Sequence, residues 1–235
     1  MYNCGGYSGT ASYISAGGGG YSSGYTAGSC SNSYGGSSYG GKAEYKMPET
    51  PNFSAETFLA EDRPATPMIS ELGDVKEIIE QTFQKITGQE FPEEDIKITI
   101  CNEEQFHQMQ TANGAVGFSY NRYGKGTSEI YAVQDQMDRL LLTIGHELGH
   151  VLGPTLLNRQ DEEAKAHAFS LAWMETIRDN NIGGLEPNIT PNPARNGLHD
   201  VAFDFVKYLL KTGASSFDVF KTLSHGLTSI IAEAH

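Results

Sequence analysis

Charge is missing from the first forty-one residues: between Met1 and Gly41 there is no Asp, Glu, Lys, Arg or His, and Gly, Ser and Tyr dominate. A segment with so few aliphatic groups has little to bury and a high ordering cost, which excludes a packed core there and predicts a disordered tail. Cysteine is scarce as well. Cys4, Cys30 and Cys101 are too few and too scattered for a disulfide framework or a cysteine zinc site. Basic residues are outnumbered, with 16 Lys+Arg against 29 Asp+Glu and a net charge of −13. Such a surface repels phosphate backbones, so nucleic acid is not an expected partner. There is no long apolar run for a membrane span, and the N-terminus lacks the basic start and apolar stretch of a secretory signal. The expectation is a cytoplasmic chain without a membrane span.

What is present divides into three parts. After the tail at 1–41, residues 42–69 are charged and carry Pro48, Pro51, Pro64 and Pro67, which reads as an extended linker. A domain of ordinary size is expected over 70–235. Within it, Asp74 followed by Glu77 resembles a capping box, and Val75, Ile79, Phe83 and Ile86 recur at helical spacing up to Gly88. Short strands are expected at 96–101, 115–120 and 128–133, with Cys101 buried in the first of them. Asp135 is placed to cap a helix carrying Met137, Leu140, Leu141, Ile144, Leu148 and Val151 along one side, which Gly153-Pro154 ends. A second helix is expected over Asp161–Asp179, then two more from His199 and from Ser216. One helix, a few strands and then helices only is an α+β layout.

The chemistry sits in TIGHELGHVLGPTL, Thr143 to Leu156. His146 and His150 are four apart on a helix, so their rings stack one turn above each other and can aim one nitrogen each at a single ion. Glu147 lies beside His146 but points round the helix, where it reaches a metal-activated water rather than the metal. A chance pentapeptide on a core helix is the bland alternative, but two histidines and a glutamate are costly to bury without a cation. A catalytic zinc ion (Zn2+) wants three protein ligands and an open position. The longer HExxHxxGxxH signature would put its third ligand at position 156, which is Leu156. The next acidic cluster is Asp161, Glu162 and Glu163.

At this point the residues resemble a family. EEAKAHAF, Glu162 to Phe169, is similar to the EExxAxxF pattern of the glutamate helix in gluzincin metallopeptidases, and to the ExxANxF segment of ImmA/IrrE-type metallopeptidases. The resemblance implies a zincin-like fold: a backing helix, a small mixed sheet with an edge strand, an active-site helix, a glutamate helix and C-terminal helices. It implies that Glu163 is the third metal ligand, with Glu162 and His167 as alternatives, and that Ala166 lets the two helices approach. Peptide hydrolysis by attack of a zinc-bound water follows, with Glu147 as general base. In zincins the strand before the active-site helix is the substrate edge, so a polypeptide would lie along 128–133. ARNGLHD, Ala194 to Asp200, loosely resembles a loop of thermolysin-like enzymes and makes His199 a candidate oxyanion donor, with Tyr120 and Tyr131 as weaker ones. Two rival readings stand beside this one: a regulatory protease with a single target, and a structural protein acting through its Gly/Tyr/Ser tail.

Overall fold

The computed structural model describes residues 11–15, 53–109, 115–191 and 201–230. In chain order its elements are β1 (Ala11–Ser15), β2 (Met68–Ile69), α1 (Lys76–Thr87), β3 (Ile96–Cys101), α2 (Glu103–Met109), β4 (Ala115–Tyr120), β5 (Ser128–Val133), β6 (Asp135–Gln136), α3 (Met137–Val151), α4 (Arg159–Asp179), α5 (Val201–Leu210) and α6 (Ser216–Ser224). Helices and small sheets pack around a main core, with a smaller apolar cluster on the other face of the sheet, an α+β arrangement at the level of class.

Strand alternation builds the mixed four-stranded sheet, ordered β1-β4-β5-β3. On β5, Ile130 and Ala132 face the main core, while Tyr131 and Val133 join Phe118 and Phe106 on the other face. The first face packs on α3 and the second on α2. The sheet order corrects one expectation. β5 pairs in parallel with β3 and antiparallel with β4, so 128–133 is an interior strand and not an edge. Its alternating pattern shows that one face is buried, but says nothing of which neighbours pair with its backbone.

The N-terminal boundary is also corrected. Residues 53–69 are part of the packed unit: Phe53, Phe58, Leu59 and Ile69 are buried in the main core. The segment holds only short regular pieces, a 3-10 turn at Ala55–Phe58 and β2, yet it is buried, because aromatic side chains carry enough apolar surface to dock it. Within the stretch expected to be a disordered tail, residues 11–15 form β1 on the edge of β4. The other residues of 1–41, and 42–52, lie outside the described residues.

Two caps differ from expectation. α1 begins at Lys76 after a 3-10 turn, Leu72–Asp74, and has no side-chain cap. Asp135 does not cap α3, since Gln136 holds that position and Asp135 belongs to the β2–β6 pairing. α4 starts two residues early because Asn158 Oδ1 accepts from the backbone N–H groups of Gln160 and Asp161. The C-terminal helix stops at Ser224.

The packing that matters most is α3 against α4. Nearly every position of α3 is buried, the histidine side included, as are two thirds of those of α4. Gly145 and Gly149, one turn apart, form the contact face. A Cβ on Gly149 would lie 2.7 Å from Ala166 Cα and 2.8 Å from its carbonyl oxygen; one on Gly145 would lie 2.5 Å from the Trp173 ring. With no side chain at those positions the two backbones approach closely, and the first turn of α4 is brought alongside the last turns of α3.

Candidate metal centre

The last turn of α3 is held by groups from two other elements. Asn121 Nδ2 donates to the carbonyls of His150 and Gly153 at 2.7 and 2.8 Å, and Lys165 Nζ donates to those of His150 and Pro154 at 3.1 and 3.0 Å. An amide and a cation thus satisfy carbonyls that the helix end leaves open. This fixes the backbone from which His146 and His150 project.

Both imidazoles are oriented through Nδ1. Ser170 Oγ donates to the Ala166 carbonyl at 2.9 Å, so toward His146 Nδ1, 3.2 Å away, it acts as acceptor. Glu162 Oε1 takes the corresponding place at His150 Nδ1, at 2.9 Å. With the protons on Nδ1, both Nε2 lone pairs point at one spot, where the two nitrogens stand 3.2 Å apart. Glu163 Oε2 completes a triangle, 3.6 Å from His146 Nε2 and 3.9 Å from His150 Nε2. A tetrahedral ion with bonds near 2.1 Å separates its ligands by about 3.4 Å. The three donors therefore fit a divalent metal ion, and no other such group occurs among the described residues.

The three acids that open α4 have three different tasks. Asp161 accepts from Ser229 Oγ and the Ile230 N–H, both at 2.7 Å, and anchors the C-terminal segment. Glu162 is occupied by His150, by the Leu156 N–H at 2.8 Å and by Lys165 Nζ at 3.0 Å. That leaves Glu163 to face the histidines. His167 stands beside the triangle, its ring 5.2 Å from that of His146 and packed near Phe53 and Phe203.

Electrostatics treat the two histidines oppositely. Burial drives the His146 pKa down to about 3, so the ring is neutral, as a metal ligand must be. Burial would raise Glu163, but its bond to His146 and the charges of His150 and His167 outweigh it and hold the carboxyl at about 2. Burial would likewise lower His150, yet Glu162, Glu163 and Glu147 together raise it.

Glu147 differs from all of these. It is fully buried, and among the described residues neither carboxylate oxygen has a hydrogen-bond partner. Burial raises its pKa to about 7, only partly offset by His150 and by the nearby Ser119 hydroxyl, which is not in bonding geometry with it. A carboxyl poised near neutrality beside a metal-ligand triangle is suited to exchange protons with a reacting group.

Two sequence candidates are not brought to this site. Tyr120 and Tyr131 lie on the sheet face turned away from α3, and the Tyr131 hydroxyl bonds Glu129 at 3.2 Å. His199 lies outside the described residues. The sequence gives no sign of Phe53, whose ring stacks on His146 at 4.2 Å, because nothing local marks an aromatic so distant in the chain as a neighbour of the histidines. Ser170 and Ser119 were also missed. Ser170 could have been found, since it follows Glu163 by two helical turns on the same face.

His146 and Glu147 are fully buried and His150 is 1% exposed, whereas the Glu163 side chain keeps 21% of its surface open. Compared with known proteins, the chain matches no protein-family model, no curated sequence and no solved structure.

Proposed function

We propose that this chain is a zinc-dependent peptidase of zincin-like architecture, with His146, His150 and Glu163 as metal ligands. The observation that carries the reading is the triangle of donors, 3.2 to 3.9 Å on a side, beside a buried carboxylate that has no hydrogen-bond partner among the described residues. Structural metal sites close their coordination with four protein ligands; three ligands leave a position for a reactant.

A zinc ion held there supplies Lewis acidity, lowering the pKa of a water and polarising a carbonyl. The chain's own residues do the rest. Glu147 takes a proton at a carboxylate oxygen and later delivers it to the leaving amine nitrogen. Ser170 and Glu162 keep both imidazoles in the tautomer that presents Nε2. Lys165 neutralises Glu162 without touching the triangle. The apolar cover from Phe53 and the α3–α4 packing excludes bulk water, which strengthens every charge interaction inside.

The test is zinc stoichiometry alongside cleavage of unfolded casein. The parent is expected to hold one zinc and to cleave; Glu163→Ala is expected to lose zinc, and Glu147→Gln to keep it while losing cleavage. Retention of zinc by Glu163→Ala with parental affinity would overturn the ligand assignment. Undiminished cleavage by the chelated parent would overturn the metallopeptidase reading itself.

A further inference from the structure

The sheet has one edge beside Glu147, and the chain's own tail lies on it. β4 and β5 both pack on α3, but β5 is paired on both sides, and Ser119 of β4 lies near the Glu147 carboxylate. An extended polypeptide that reaches Glu147 by adding to the sheet must therefore run along the outer side of β4. β1 already runs there, antiparallel, with Ser12 opposite Ser119, Tyr13 opposite Phe118 and Ile14 opposite Gly117. The backbone of β1 also passes close to α3.

We propose that the outer edge of β4 is a peptide-docking surface whose resident occupant is the tail segment Ala11–Ser15, an intramolecular ligand that competes with any extended polypeptide for access to Glu147. This rests on the peptidase reading for what happens once the edge is vacated, but the docking itself does not. Main-chain pairing is indifferent to side chains, so an uncharged Gly/Ser/Tyr-rich segment serves as well as a foreign one. Covering an otherwise open edge also protects it from pairing with other chains. The occupant is exchangeable. It is a single strand of five residues in sequence rich in glycine, and its ordering cost is high against the few hydrogen bonds it makes. Phe53, which also precedes α1, stacks on the His146 ring at 4.2 Å.

The experiment uses the full chain and its Ser12→Pro/Tyr13→Pro variant. Consecutive prolines remove whichever of the two N–H groups faces β4, and neither position belongs to the catalytic or metal-binding machinery. Amide exchange over Ala115–Tyr120 is expected to quicken about tenfold or more in the variant at the amides that do not bond β5. A labelled peptide of residues 8–18 is expected to bind the variant about tenfold or more tighter than the parent, because a tethered copy no longer competes. With zinc loaded, KM for unfolded casein is expected to fall about tenfold with kcat unchanged. Unaltered exchange at β4 together with equal peptide binding overturns the docking inference, even if both chains cleave casein. Faster exchange and tighter peptide binding in chains that never cleave casein support the docking surface and overturn the peptidase. Cleavage that is identical in the two chains despite an opened edge shows that substrates arrive elsewhere, and overturns the competition.

Discussion

Two buried carboxylates on α3, nine residues apart, receive opposite treatment. At the N-terminal end Asp138, 1% exposed, accepts from Arg63 Nε at 2.9 Å, Thr66 Oγ1 at 3.0 Å, Asn188 Nδ2 at 2.9 Å and the Arg139 N–H at 2.9 Å. Every acceptor direction is filled, and the network ties residues 63–66 and Asn188 to the helix. At the other end Glu147 is just as deeply buried and, among the described residues, neither of its carboxylate oxygens has a hydrogen-bond partner. The fold can satisfy a buried carboxylate when its task is structural. Glu147, beside the His146, His150 and Glu163 group, is left without such a network at the expense of stability.

The comparison can be broken or sharpened by substitution. The largest effect expected is on catalysis: Glu147→Gln should lower casein cleavage by roughly 10²–10⁴-fold with zinc content unchanged. Steady-state assays and metal analysis on one preparation check both halves. Asp138→Ala should instead act on folding, costing about 3 kcal/mol because Arg63 and Asn188 lose their buried partner. Denaturant titration measures it, and zinc stoichiometry of the folded fraction should stay at the parental value. Glu162 is the intermediate case, a satisfied carboxylate that acts through a ligand. Glu162→Gln should weaken zinc binding about tenfold, since a neutral amide orients and polarises His150 less well. Competition with a chelator reads this directly.

A further effect is thermodynamic and concerns the metal-free chain. The Glu147 carboxyl titrates at about 7 when folded, against an ordinary value of 4.5. Between those values the folded chain keeps a proton that the unfolded chain has released, so stability falls as pH rises through that window and levels off above it. Glu147→Gln lacks this term. Its stability relative to the parent should therefore grow by roughly 1–3 kcal/mol between pH 4.5 and 8, measured by urea titration in chelator.

Much of the site was legible because it is local. His146, Glu147 and His150 share one helical face through a four-residue spacing, and Glu163 opens the next helix after a turn short enough to fold it back. The three sheet strands at 96–101, 115–120 and 128–133 occur where alternation places them. The contact face was harder to read. Gly145 and Gly149 look like weak points in a helix until α4 is seen lying on them. The choice among Asp161, Glu162 and Glu163 could not be made from adjacency, because their partners, Ser229, Leu156 and the histidines, come from separate parts of the chain.

Phe53, β1 and the interior position of β5 belong to a third kind. By itself the sequence determined most of the helices, the strands β3, β4 and β5 and the spacing of the chemistry, all set by side-chain periodicity within a few residues. Which strand lies at the edge, what covers it and which acid meets the histidines were decided only in the tertiary structure. Backbone pairing and close packing join residues distant in the chain, and the chain's local pattern carries no record of its neighbours in space.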